Sequence, residues 1–592
     1  MTDDEPTQPP GLTSGPGWRA RLLPDLGVLV MFSALATAFL RGAWVDPSAR
    51  FAGLGDPPLF IWYLRWVPHA LAHGQNPWFT DHMNYPAGFN VMWNTAMPLA
   101  GVVLAPITAV FGPIVSYNVL VTAGYALSAF AAYIAVRRFV DHRAAAVLAG
   151  LVYGFSPYMV LQSYSHAHLI VAFVPPLLLV VLHELLVEQR WALWKTGAAL
   201  GLLVTAQFLL AEEMLLAEAL VAGLTSVGLV VLYRGRVRAK AAYALKALAV
   251  GGVIAGVLCA WPLVAQFRGP QHLGPGAIQP EDTFVSDLAG FVVPTFQQWI
   301  SPSSAAHIYR RFTPTTIGVE WNAYVGLPLL VLAGAMAVVW RRRPIVVVSA
   351  LSALGIAVLS LGPYLHVAGH DYLAVKLPWR LVREVPLATH MLPGRLILYA
   401  WVFLALLIGL FVDAVLARRG RRLVAGLAVT AVVLLPLIPL APPYTPSPVP
   451  SFFTAGGGVH RLPPGSVAVV APWSTGDVTD DAPMIWQAAA DMRFKMPSGY
   501  SIRPDRVDNR PAFGPVPTIL GRALGQLKGG ETIGTDEPTL DAMRAEIRGW
   551  KTRAVIVGPI ANESRVVDYL TLLLGRRPER TGGVWVWWLS AD

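Results

Sequence analysis

Apolar runs of bilayer length alternate with short polar stretches along most of the chain. Runs at 22–40, 116–136, 144–161, 168–187, 194–211, 214–233, 243–263, 321–340, 344–364, 394–416 and 423–441 each approach, at about 1.5 Å per residue, a hydrocarbon core about 30 Å thick. They predict a polytopic α-helical membrane protein with about 11 transmembrane helices. Another run at 97–111, punctuated by Pro98 and Pro106, is short for a crossing and is read as lying in the membrane interface. That choice sets every later orientation. With it, the clusters Arg137/Arg138/Arg143, Arg190/Lys195, Arg234/Arg236/Arg238/Lys240, Arg341 to Arg343 and Arg418/Arg419/Arg421/Arg422 all face the cytoplasm.

The long segments 43–115, 264–320, 365–393 and everything after 442 then lie outside, and chemistry is expected on that face. Residues 1–20, polar and rich in Pro and Gly, read as a disordered cytoplasmic tail before a retained first helix. Residues 21–442 form the predicted transmembrane domain, with 43–115 as its long first outer loop. Pro442-Pro443 and Pro446-Ser447-Pro448 introduce 443–592, where strand-like stretches at 466–470, 554–557 and 584–589 alternate with helix-like ones near 481–492, 538–549 and 564–574. This predicts a small extracytoplasmic α/β domain.

Composition removes several alternatives. The 592 residues are 55% hydrophobic and only 14% charged, which excludes a soluble globular protein. The formal net charge of +10 follows from the cytoplasmic clusters, so no nucleic-acid partner is inferred. The single cysteine, Cys259, lies inside an apolar run and excludes an intrachain disulfide or a cysteine-built zinc site. There is no Walker A run, Gly-x-Ser-x-Gly elbow or His-Glu-x-x-His. The cytoplasmic loops are too short for a nucleotide-sugar domain, so a sugar donor would arrive as a lipid-linked sugar in the membrane.

Asp56 is the first acid well inside the first outer loop, in Gly55-Asp56-Pro57-Pro58, where the prolines fix φ and hold the carboxylate near the membrane surface. Trp62 and Trp66 follow at the spacing of an interface-lying helix. Gln162, His166 and His168 fall in one outer turn, Glu212 and Glu213 in another. Ionisable groups at that depth are functional candidates unless they act only as caps. Asp56, His168 and Glu213 together would also suit a divalent cation such as Mn, Mg, Ca or Zn. Arg395 in Pro393-Gly394-Arg395, with Arg380 and Arg383 before it, lies at the height of an anionic lipid phosphate, which a guanidinium binds bidentately; snorkelling to head groups is the plainer reading. Glu320 and Tyr324, before another apolar run, read as a capping and aromatic-belt feature.

With its early Asp in Gly55-Asp56-Pro57, a helix ending in Arg137-Arg138-Phe139, another ending in Ser156-Pro157-Tyr158, and an outer C-terminal segment, the chain resembles the bacterial members of the GT-C superfamily of integral-membrane glycosyltransferases. The likeness covers roughly 20–440 in layout. The paired acid of many relatives is here Asp56 alone. The resemblance implies inverting transfer of a sugar from a polyprenyl-phosphate donor to an envelope glycan, glycolipid or protein acceptor outside the cell membrane. Asp56 would be the base, Arg395 with Arg380 and Arg383 would hold the donor phosphate, and His166, His168, Glu212 and Glu213 would lie near the acceptor or a metal. A non-catalytic glycan-binding assembly protein and a lipid-linked-sugar transporter remain the competing classes.

Overall fold

The computed structural model describes residues 18–280, 282–312, 320, 323–385, 387–476 and 480–590, with the side chains of 18–22 and 232–239 left aside. Most of the tail expected at 1–20, the residues Trp321 and Asn322, and the side chains of Arg234, Arg236 and Arg238 therefore lie outside the described residues.

Among the described residues, eight helices are long and apolar enough to cross a membrane, and shorter apolar helices at Leu23–Phe39, Pro98–Phe111, Leu327–Val339 and Pro344–Ser360 accompany them. The chain is a multi-pass helical membrane protein. Its first helix, Trp18–Phe39, shows the pattern of burial: Val28, Phe32 and Ala36 at every fourth position face the bundle, while Leu26, Val30, Met31 and Leu35 stay exposed, as a lipid-facing surface requires. Small residues set the closest crossings. Gly150 and Gly154, spaced as Gly-x-x-x-Gly, lie against Ala129 so tightly that a Cβ at either would come within 2.6 Å of its atoms. The Ile397–Leu416 helix is buried along nearly its whole length and forms the centre of the bundle.

The spans expected at 214–233 and 243–263 are a single helical element, Glu212–Arg268, of 57 residues. A straight rod of that length would measure about 86 Å. Glu212, Glu213 and Leu216 nevertheless line the same cavity as Cys259, Leu263 and Gln266, so the two halves run back alongside each other. The second half packs on Leu193–Leu210, where Gly197 and Gly201 admit Val250 and Ile254.

Helix Pro113–Val136 separates two ends of the bundle. At one end the Asn118 side chain accepts from the Ala52 amide (3.0 Å) and donates to the Arg50 carbonyl (2.7 Å). At the other, Tyr133 donates to Asp25 (2.5 Å), and Arg143–Asp25, Arg138–Glu184 and His142–Asp413 pairs gather. The helix's 24 residues correspond to about 36 Å.

Residues 451–590 build a five-stranded sheet in the order Glu579–Thr581, Val584–Trp588, Thr552–Val557, Ser466–Ala471, Phe494–Lys495. The two central strands are parallel, and Val584–Trp588 runs antiparallel to Thr552–Val557. Alternate side chains divide between two cores. Val467, Val469, Val555 and Val557 face the helices Ile519–Lys528, Glu537–Gly549 and Glu563–Leu574. Ala468, Val470, Ala554 and Ile556 belong to the other core, which holds Met484 and Trp486 of the Ala482–Ala489 helix and, packed on that helix, Trp62 and Trp66 of the Pro57–Ala72 helix.

This last contact corrects the expectation for Trp62 and Trp66. Both are almost wholly buried and stacked at 5.6 Å; Trp62 Nε1 donates to Gln487 Oε1 (2.6 Å) and Trp66 Nε1 to the Pro77 carbonyl (3.1 Å). Their helical spacing is real, but the C-terminal segment covers the face that would otherwise lie in the membrane interface.

Candidate active site

Asp56 precedes the Pro57–Ala72 helix on a loop fixed from both sides. Strand Arg50–Ala52 pairs antiparallel with Tyr444–Pro446, the Gly53 amide donates to the Pro443 carbonyl (2.8 Å), and the Leu54 amide to the Tyr164 carbonyl (2.5 Å). Gly53, at φ +97°, leaves no room for a side chain: a Cβ would sit 2.4 Å from the Tyr164 oxygen. Ser165 Oγ closes the contact by donating to the Leu54 carbonyl (2.8 Å). The loop thus carries Asp56 directly to the turn that presents His166.

From His166 a chain of polar groups crosses the site. Its Nδ1 lies 2.6 Å from Gln162 Oε1, and Gln162 Nε2 donates to Glu320 Oε2 (3.3 Å). With the amide so oriented, His166 carries its proton on Nδ1 and turns the Nε2 lone pair towards Asp56 Oδ2 (3.7 Å) and Glu320 Oε1 (3.5 Å). Arg395 closes the network: Nη2 and Nε donate to Glu320 (2.5 and 3.3 Å) and Nη1 to Glu213 (2.5 Å). Arg395 sits in the turn Pro393–Leu396, where the Gly394 amide donates to the Phe284 carbonyl (2.9 Å).

The environment sorts these groups by proton affinity. Burial raises the Asp56 carboxyl to about 6, opposed by the Arg395 charge and reinforced by Glu320. Burial lowers His166 to about 4, against the pull of Glu320. Burial would also raise Glu320, but Arg395, His166 and the Gln162 amide bring it down to about 2. At neutral pH the site holds an ionised Glu320, a neutral His166 and an Asp56 that is the strongest base of the three.

These groups line a cavity of about 740 Å³ together with Glu212, Glu213, His168, Asn94 and His390. Residues of the C-terminal segment, Tyr500, Ser501, Ile502 and Phe513, form part of its wall, tied down where Asn94 exchanges hydrogen bonds with the backbone of Ile502 (2.9 and 2.5 Å). The Asp56 charge, more than burial, raises the Tyr500 phenol. Both ring nitrogens of His168, Nδ1 of His390 and Oγ of Ser501 are buried without a hydrogen-bond partner among the described residues. Four such atoms around one cavity suit a ligand rich in hydroxyl groups.

The structure brings together Asp56, His166, His168, Glu212, Glu213 and Arg395. Arg380 and Arg383 fall elsewhere. Arg380 donates to the Tyr364 hydroxyl (3.2 Å) and Arg383 to Glu384 (3.2 Å), and neither lines the cavity. Nearness to Arg395 in sequence is undone by the turns at Trp379–Val382 and Ala388–His390. Glu320, read from sequence as a cap, is instead the carboxylate joining His166 to Arg395. Its signal was the one that marked Glu213, an acid at the entry to an apolar run. Asp56, His168 and Glu213, expected to suit a cation, all line the cavity, with Glu213 held by Arg395; among the described residues no three His, Cys, Asp or Glu groups are gathered closely enough to hold an ion.

Fold and site define a multi-pass helical membrane protein with a cavity lined by ionisable groups. The structure of the arabinofuranosyltransferase AftD from Mycobacteria superposes with a TM-score of 0.56 at 14% identity, over 95% of this chain and 40% of the other. The chain thus spans well under half the length of that protein. Lower similarity is found to the archaeal oligosaccharyltransferase AglB from Archaeoglobus fulgidus in complex with an inhibitory peptide and a dolichol-phosphate (TM-score 0.43, 12% identity, 92% and 70% of the two chains). ArnT from Cupriavidus metallidurans bound to undecaprenyl phosphate is comparable (0.43, 11%, 96% and 98%). No curated protein matches the chain. Residues 27–438 match the model of a family described as a domain of unknown function (DUF6311), and the chain belongs to that family.

Proposed function

We propose that the protein is a membrane glycosyltransferase that moves a sugar from a polyprenyl-phosphate donor to a hydroxyl of an extracytoplasmic glycan, lipid or protein, with inversion. One observation carries the reading: a carboxylate of raised proton affinity faces a cavity whose orphaned polar atoms await hydroxyl partners, and is joined through His166 and Glu320 to an arginine. The fold shared with an arabinofuranosyltransferase supports sugar transfer as the class of reaction. Asp56 takes the proton of the acceptor hydroxyl as its oxygen attacks the anomeric carbon. The bond from that carbon to the phosphate oxygen breaks, and the lipid phosphate leaves with the electron pair. Asp56 rather than His166 is the base because its conjugate acid is the weaker by about two units, about 6 against about 4.

Arg395 is the cation assigned to the leaving phosphate, and its guanidinium already holds two carboxylates. A donor head group engages it by displacing Glu213, the more exposed of the two partners (20% against 6%), while Glu320 keeps the guanidinium in place. The test is transfer from a lipid-linked sugar in reconstituted vesicles. Asp56→Asn is expected to lower the rate by at least about 100-fold with the folded protein intact. Unchanged transfer removes Asp56 from the reaction, and absence of transfer from every polyprenyl-phosphate sugar offered to the native protein removes the transferase reading.

A further inference from the structure

A second cavity, of about 730 Å³, lies inside the bundle between Val174–His183, the first half of Glu212–Arg268, Pro344–Ser360 and Ile397–Leu416. Its walls are apolar, with Leu178, Leu182, Val221, Leu229, Val348 and Phe403 among them. Glu218 interrupts them. It is 5% exposed, and neither carboxyl oxygen has a hydrogen-bond partner among the described residues. Ser349 Oγ and His183 Nδ1, on the facing helices, are orphaned in the same way. The contrast with Glu213 on the same helix is informative, because Glu213 has Arg395. An unpaired carboxyl inside a membrane protein is costly and marks a binding site by default.

The far end of the chamber, lined by Lys240 and Glu188, offers no free counter-ion among the described residues. Lys240 donates to the Val187 and Glu188 carbonyls, and Glu188 is paired with Arg190 (2.6 Å). An anionic head would find no cation beside Glu218 among the described residues, and an ammonium would carry a full charge in between mostly apolar walls. A hydroxyl satisfies the chamber without either difficulty, donating to Glu218 and accepting from Ser349, while the long apolar walls take a hydrocarbon chain. We propose that this chamber binds a long-chain lipid alcohol, its hydroxyl held between Glu218 and Ser349. The site is separate from the Asp56 cavity and does not depend on the transferase reading.

The test is photolabelling of the full-length protein in phosphatidylcholine nanodiscs with hexadecanol carrying a diazirine on its chain, followed by peptide mapping. Label is expected on peptides covering 175–187, 218–229 and 344–349, displaced by excess hexadecanol but not by hexadecanoic acid or hexadecylamine. Glu218→Leu is expected to lower it about fivefold, the loss of one hydrogen bond, and Glu218→Gln to retain it within about twofold. Should Glu218→Leu fail to fold, Ala222→Leu, which narrows the chamber, carries the test through reduced labelling at unchanged thermal stability. Label concentrated elsewhere, equal displacement by the acid or amine, or insensitivity to these substitutions in folded protein overturns the proposal. No sugar transfer is measured, so this outcome and that of Asp56→Asn are read independently.

Discussion

Two hydrogen-bond acceptors, Asp56 Oδ2 and His166 Nε2, face each other at 3.7 Å with no proton of their own to share. An acceptor hydroxyl entering the cavity supplies one. Because only ionised Asp56 accepts it, kcat/KM for transfer is expected to fall as pH drops through about 6, with a slope of one proton. The same shift has a cost in stability. Folding raises the Asp56 pKa from 3.8 to about 6, so the group favours the folded state at low pH and loses that contribution as pH rises across this window. Asp56→Asn is therefore expected to melt no lower than the native protein at pH 7, measured by thermal shift. Glu320→Gln points the other way: it removes one of two carboxylates from the buried Arg395, and a loss of about 3 kcal/mol is expected in melting experiments. Asp56 was legible as the first acid well inside the outer loop, held by its prolines, and His166, Glu213 and Arg395 as ionisable groups at the mouths of apolar runs. Glu320 carried the same mark but has a capping explanation, and only the fold, bringing together positions 75 residues apart, distinguishes the two.

Among the elements, the apolar runs were legible because lipid demands length and uniform hydrophobicity, and both show in one dimension. The Val-rich strands Ser466–Ala471 and Thr552–Val557 were legible from their composition, whereas the short edge strands Phe494–Lys495 and Glu579–Thr581 have too few residues to show a period. The continuous helical path through Glu212–Arg268 was not legible, since a basic stretch between two apolar runs reads equally as loop or helix. The turn holding Asp56 depends on its glycines. Gly53→Ala forces the Cβ against the Tyr164 carbonyl at a positive φ, and a drop of about tenfold or more in kcat is expected with KM for the donor little changed. Steady-state kinetics with a lipid-linked sugar checks the split.

At the scale of the whole molecule, the C-terminal segment is part of the membrane protein's own core. Trp62, Trp66 and Tyr63 from the Pro57–Ala72 helix pack with Phe453, Trp486 and Ile556 in one cluster. A separately expressed 445–592 is accordingly expected to expose that face and to show no cooperative melting by circular dichroism, whereas the full chain melts with both parts coupled. The apolar strands Ser466–Ala471 and Thr552–Val557 are buried on both faces, but what closes one of those cores comes from about 400 residues upstream and has no local signature.

The Pro57–Ala72 helix consequently works as an axle with the Asp56 carboxylate at its hub. Whatever docks on the sheet above leans on Trp62 through Gln487, and any tilt reaches the carboxylate at the helix's first turn. On the proposed reading, exchanging the C-terminal segment for that of another protein thus alters turnover as well as choice of acceptor.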